Sequence, residues 1–382
     1  MTIKNNTILN TGKVILLGIL VFVSFGCVPR GTSVPKGWSG SVLSGSTLYI
    51  GSMDGKIMSI NTADGKMIWE APLEVAAPAG GFGCSAPPAS VAIYGTPAVS
   101  GNMVFLGGYN GKFYAFAPGE TEPRWVYPRE GLPTTQIVGG VAISGEEVIF
   151  GTASGKVYAL TAATGAAGTG WVFPADNSQV GKIWSSPVVQ GSTVYIGSFD
   201  KNLYALDSAT GQKKWAFSTG GAIVAAPATD NDTVYVGSFD RSLYAVDAAT
   251  GEAKWKFTAN NWFWAQPLVD SGKVYAANLD GVLYVLDAKT GAKIAAYEFG
   301  GAISASPAVA GEVIIIVTEP GVVYSLNTVT TEKRLLIDLK EKVDAPIASD
   351  GTLAFIHSSA GKLYAINAQT GGQLWSAPLS GN

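Results

Sequence analysis

Apolar and polar positions alternate in short runs along most of the chain, and the runs come in sets. In Thr193 to Phe217 (TVYIGSFDKNLYALDSATGQKKWAF), two stretches rich in β-branched and aromatic residues are separated by turn-forming ones. Such residues favour pleated, half-buried surfaces. The pattern predicts four strands per set, around Pro187–Val189, Thr193–Gly197, Leu203–Asp207 and Lys213–Phe217. Between the second and third come Asp54-Gly55, Asn110-Gly111, Ser154-Gly155 and Asp280-Gly281, the residue types that two-residue hairpins with positive φ require. Between the third and fourth comes Asp-x-x-Thr-Gly, as at Asp207–Gly211, Asp247–Gly251 and Asp287–Gly291. Its Asp accepts backbone N–H bonds within the turn, and its Gly supplies the left-handed position.

The set recurs. Its central aromatic stands at Tyr204, Tyr244, Tyr284, Tyr324 and Tyr364, a period of 40 residues. Upstream the equivalents are Tyr158, Tyr114 and Met58, at spacings of 46, 44 and 56. Eight four-stranded units predict an all-β chain folded as an eight-bladed β-propeller over residues 38–382, each blade built from its own repeat. The 56-residue spacing contains Ala76–Ser90 (AAPAGGFGCSAPPAS), a Gly/Ala/Pro loop. Pro128–Val138 is a smaller irregularity.

Residues 1–27 follow a different pattern. Lys4 and Lys13 precede the apolar run Val14–Phe25, which is shorter than the roughly 20 residues that span a bilayer comfortably. Gly26-Cys27 then resembles the bacterial lipoprotein signal, in which the cysteine is lipidated and becomes the new N-terminus; Ser24 and Phe25 depart from that pattern. The alternatives are a cleaved signal peptide and an uncleaved anchor. Each places the rest of the chain outside the cytoplasm, membrane-anchored in two of the three cases. Residues 28–37 read as a Pro/Gly/Ser tether.

Composition narrows the chemistry. Of 382 residues, 48 are Gly, 47% are apolar and 14% charged, enough apolar material for a core and too little charge for bulk disorder. A net charge of −3 offers no basic stripe for nucleic acid. The single histidine, His357, makes a Ser-His-Asp triad or a His-rich metal site a poor fit, and it reads as a structural side chain of the eighth blade. Two cysteines are too few for a disulfide framework or a thiolate zinc site. If Cys27 carries lipid, Cys84 is a free thiol, an intermolecular link or a passive cysteine.

The run Ala-x-Asp-x-x-Thr-Gly-x-x-x-Trp, at Ala205–Trp215 and Ala245–Trp255, resembles the tryptophan-docking repeat of the quinoprotein (PQQ-like) eight-bladed propellers. Trp69, Trp125, Trp171 and Trp375 occupy the same place as Trp215 and Trp255, and all six are expected to pack between blades. Ala295 and Leu335 stand there in blades six and seven, where weaker docking is expected. Two kinds of relative define the alternatives. One is the non-enzymatic outer-membrane assembly lipoprotein of the BamB type, a monomeric scaffold for protein partners in the cell envelope. The other is the quinoprotein dehydrogenase, which holds PQQ and calcium on the propeller axis beside an adjacent Cys-Cys pair. Cys27 and Cys84 are not adjacent and the repeats are regular, so no catalytic, cofactor or metal residue is assigned. A sensor or redox propeller is a third possibility of the same kind.

The segments entering the first strands align as AIYGTP, KIWSSP, AIVAAP, WFWAQP and AISASP. Three residues before each proline stand Tyr94, Trp184, Val224, Trp264 and Ser304, which are expected to converge at one mouth of the channel with Trp262 and Phe263 close by. Tyr94, Trp184, Trp262, Phe263 and Trp264 are therefore the candidate partner-binding residues, the alternative being that they plug the axis.

Overall fold

The structure, a computed structural model, describes residues 37–74, 91–131, 133–166, 170–176 and 178–379. Eight four-stranded antiparallel sheets follow one another along the chain, each with its strands in sequence order. The fourth blade shows the pattern: Val188–Gln190, Thr193–Gly197, Asn202–Asp207 and Lys213–Ser218. The first blade runs from Ser41–Ser44 to Met67–Pro72 and the eighth from Ala348–Ser349 to Gln373–Pro378. First strands of neighbouring blades touch, so they form the inner wall of an eight-bladed propeller. The second and third strands are mostly buried, whereas the fourth alternates outward and inward, as in Lys213–Ser218. Cys27, Cys84, the tether up to residue 36 and the Ala76–Ser90 loop lie outside the described residues.

The Asp-x-x-Thr-Gly turns form as expected. Asp207 Oδ1 accepts the N–H groups of Ala209 and Thr210, both at 3.1 Å, and Gly211 takes φ +68°. The turns between second and third strands differ from expectation, because four residues, Ser198 to Lys201 in blade four, make the connection rather than two. Ser198 and Asp200 add local hydrogen bonds that a two-residue turn cannot hold: the Asp200 N–H donates to Ser198 Oγ and the Asn202 N–H to Asp200 Oδ1. Lys201 and Arg241 adopt positive φ where other blades carry Gly.

The six tryptophans join neighbouring blades. Each indole N–H donates to a carbonyl in the turn of the next blade: Trp69 to Glu120, Trp125 to Ala162, Trp171 to Ser208, Trp215 to Ala248, Trp255 to Ala288 and Trp375 to Thr62, all within 2.8–3.0 Å. The last of these links blade eight to blade one and closes the ring. The turn glycine is needed twice over: Gly251 has φ +76°, and a Cβ there would lie 2.7 Å from the Trp215 ring.

Blade seven solves its junction differently. Its bulge falls two residues earlier along the third strand than in blades one, four, five, six and eight, so Ser325 pairs with Arg334 and Leu335 turns outward, 56% exposed. Leu335 thus does not replace the tryptophan. Arg334 takes over its hydrogen bond, the guanidinium donating to Gln369 O of blade eight at 3.1 Å, while Leu336 packs beneath the turn glycine Gly371. Ala295 holds the expected position opposite Val285.

A second set of inter-blade contacts lies closer to the axis. The last residue of the second strand is Gly51, Gly107, Gly151 and Gly197 in blades one to four, and a Cβ on any of them would come within 2.6 Å of an isoleucine, Ile93, Ile137, Ile183 or Ile223, of the next blade's entry segment. In blade eight the same position is His357, and the matching entry residue of blade one is Gly37. The imidazole is almost wholly buried, with Nδ1 2.9 Å from Ser39 O. A carbonyl only accepts, so Nδ1 carries the proton, and Nε2 is left buried without a partner among the described residues. Burial therefore pushes the His357 pKa down, since a second proton would place an unpaired charge at the closure. The unfolded chain binds more protons in the interval between the lowered pKa and the ordinary value of about 6.5. Stability should fall as pH drops through that interval. The thermal midpoint should decline from about pH 7.5 to about pH 5, and His357→Gln should flatten the decline. An unchanged slope would show that the histidine is not the titrating group.

Candidate functional site

The entry segments do converge. Their residues alternate between facing the core and facing the axis, because the backbone there is extended. One row, Ile93, Ile137, Ile183, Ile223, Phe263, Ile303 and Val343, is buried between blades. The next residue in each faces an open axial cavity of about 440 Å³. Around the ring, from blade one to blade eight, these are Trp38, Tyr94, Val138, Trp184, Val224, Trp264, Ser304 and Asp344. Two residues further on, Thr96, Gly140, Ser186, Ala226, Gln266, Ser306 and Pro346 line it as well.

Of the residues singled out in the sequence, Tyr94, Trp184 and Trp264 line the cavity, with Val224 and Ser304 between them. Trp262 is not among the lining residues; it is 45% exposed and stacks on Phe239. Phe263 is a correction: it is 1% exposed, belongs to the buried row, and contacts Gly237 from within the core, so no partner can reach it. Trp38, Val138 and Asp344 complete the ring but were not legible as members. Blade three has no proline at the reference position, and in blade eight Pro346 comes two residues after Asp344 rather than three. The signal for Trp38 was Ser39, whose hydroxyl donates to Gly95 O as Ser185 donates to Ala225 O.

The aromatic side chains are held in place by other rings. Trp38 meets Tyr94 edge-on at 4.6 Å between centroids, and Tyr94 meets Tyr109 at 5.2 Å. Trp184 meets Phe199 edge-on at 4.8 Å. Phe239 lies stacked between Trp262 at 4.7 Å and Trp264 at 5.6 Å. The supporting residues Tyr109, Phe199 and Phe239 lie in the turns after the second strands. Their N–H groups donate to Ala92, Lys182 and Ala222, each at 2.9 Å, which ties every turn to its own entry segment. Edge-on and offset ring pairs of this kind are the favoured geometries.

The polar residues beside the ring are mostly structural. Tyr204, Tyr244 and Tyr284 donate to Asp200, Asp240 and Asp280 at 2.6–2.7 Å. Burial acts to raise Asp200, but the Gly181 N–H and the Tyr204 hydroxyl outweigh it and hold the carboxyl below its usual range. Burial and the carboxylate together push Tyr204 up. The pair is thus moved away from neutrality on both sides, the opposite of what proton transfer near pH 7 needs. Among the described residues, no group of three or more His, Cys, Asp or Glu side chains could hold a metal ion.

Fold and repeat together define the class: an eight-bladed propeller of PQQ-like repeats with tryptophan docking. The sequence model of the family described as "Outer membrane protein assembly factor BamB" matches residues 28–221, 200–294 and 280–382. The chain belongs to that family. Among solved structures, BamB from Moraxella catarrhalis is similar at 20% identity, over 84% of this chain and 90% of that one, with a TM-score of 0.66. A computationally designed protein, Ika8, superposes with a TM-score of 0.69 at 16% identity, over 87% of this chain and 96% of that one. A europium-containing methanol dehydrogenase gives 0.62 at 15% identity, over 74% and 77%. At these identities the superpositions speak to fold alone. Among curated protein sequences none matches the chain.

Proposed function

We propose that this protein is a membrane-anchored, extracytoplasmic scaffold without catalysis of its own, which holds a protein partner of the cell envelope in outer-membrane protein assembly. Family membership supports the setting. The observation that carries the binding role is the open cavity lined by Trp38, Tyr94, Trp184 and Trp264, with Trp262 exposed two residues before Trp264. Concave aromatic surfaces of this kind supply the anchors of protein interfaces.

The cavity does not suit the quinone of the dehydrogenase relatives. PQQ is a tricarboxylate, and among the described residues lining the cavity the one charged side chain is Asp344, itself a carboxylate. Calcium sites usually gather several carboxylates among their six or more oxygen ligands, and the described lining brings one carboxylate among neutral hydroxyl and amide oxygens.

The double change Trp184→Ala and Trp264→Ala should abolish capture of barrel-assembly components from detergent-solubilised membranes while leaving the thermal midpoint nearly unchanged. A collapsed midpoint would make the rings core. Capture by a stable double variant would move binding elsewhere, with residues 76–90 the next candidate. PQQ- and calcium-dependent dye reduction by the purified protein would overturn the non-enzymatic reading. Anchoring is tested separately: Cys27→Ala should release the protein from membranes or block its maturation, and a membrane-bound product of full precursor mass would instead indicate an uncleaved anchor.

A further inference from the structure

Taken at alternate blades, the ring reads Tyr94, Trp184, Trp264 and Asp344, from blades two, four, six and eight. Three aromatic side chains and one carboxylate therefore surround the axis, with Asp344 across from Trp184. We infer that this cage binds a small organic cation, its ammonium head held on the axis by the aromatic faces and Asp344.

Aromatic faces carry negative potential, and the attraction they offer a cation grows as the site loses water. Trp38 stands next to Asp344 in the ring and enlarges the aromatic wall on that side. Asp344 is fixed rather than free: the Ser304 hydroxyl donates to Oδ1 at 3.3 Å, and Lys342 Nζ lies 3.2 Å from Oδ2. Lys342 also pairs with Glu319 at 3.3 Å. Two carboxylates against one ammonium leave this sector with one net negative charge. Lys342 is itself outside the cavity lining, so the charge presented to the axis is that of Asp344. An anion would meet that carboxylate with no basic partner among the described lining residues. A bare divalent cation would find one carboxylate, the other oxygens being neutral hydroxyls and an amide spread around the ring. An organic cation is the class whose needs the wall meets: apolar contact around the head, one counter-charge, and a volume within the range of about 300–1,000 Å³ usual for small-molecule sites. This inference does not depend on the scaffold reading, since its readout requires no protein partner.

The test uses the full-length chain in a nonionic detergent, with choline as probe and its uncharged carbon isostere 3,3-dimethylbutan-1-ol as control. Tryptophan fluorescence should change saturably with choline, and the isostere should bind at least about tenfold more weakly. Asp344→Asn should weaken choline by about tenfold and leave the isostere unaffected, whereas Lys342→Gln should tighten choline by unmasking the carboxylate. The opposite signs separate charge recognition from a general loss of fold, which would weaken both probes in both variants. Equal affinity for the two probes, binding of neither, or identical responses of the two variants would overturn the inference.

Discussion

Trp215→Ala should destabilise the propeller by about 3–5 kcal/mol in chemical denaturation, the range for truncating a large buried aromatic side chain. The ring is 9% exposed and packs with Tyr244 and Val246 of the next blade, over the Cα of Gly251. Its N–H bond to Ala248 O adds a directional link that Trp215→Phe removes while keeping much of the burial, so the phenylalanine variant should retain most of the stability. Leu335→Ala provides the contrast. That side chain is exposed beside the shifted bulge, and its loss should fall within about 0.5 kcal/mol of zero. A loss below about 1 kcal/mol for Trp215→Ala would mean that the tryptophans do not carry the junctions.

The inner contacts should show equally large effects with a different signature. Ile223 is fully buried against Gly197, and Ile223→Ala should cost about 2–5 kcal/mol. Gly197→Ala places a Cβ 2.2 Å from Ile223 Cγ2 and should cost about 1–3 kcal/mol through overpacking. Together the two changes partly relieve each other, because the nearest clashing methyl is removed while the Ile223 Cβ, 2.9 Å away, remains. The double variant should be more stable than the sum of the singles by about 0.5–3 kcal/mol, as for residues in direct contact. Strict additivity would show that the two blades meet through other atoms. The closure already contains a natural version of this exchange, with His357 on the glycine side and Gly37 on the isoleucine side.

Much of this was legible in the residues. A 40-residue period with four strand-like runs leaves few architectures other than a propeller, and the Asp-x-x-Thr-Gly-x-x-x-Trp spacing places each indole against the next blade's turn. The axial ring was legible where the entry segment ends in a regularly placed proline, as at Trp184 and Trp264. It was hidden at Val138 and Asp344, where that marker is missing or shifted. Phe263 was misplaced because neighbouring residues of an extended segment face opposite ways, and adjacency to Trp264 in sequence therefore means separation in space. Arg334 escaped notice for a related reason: a bulge displaced along the blade shifts the register by one for the residues it passes and exchanges their inward and outward sides.

Each blade is a single stretch of chain, and the ring is closed by side chains, Trp375 on Thr62 O and His357 on Ser39 O, with no strand among the described residues borrowed from the opposite end. In blades four and five, the five residues 219–223 and 259–263 connect the fourth strand to the next ring residue, Val224 or Trp264. A five-residue connector between Pro378 and Trp38 would reproduce that length across the closure. The chain is therefore suited to circular permutation. New termini opened between any two blades would leave every sheet intact, and the position of the ends along the ring becomes a matter of wiring rather than of architecture.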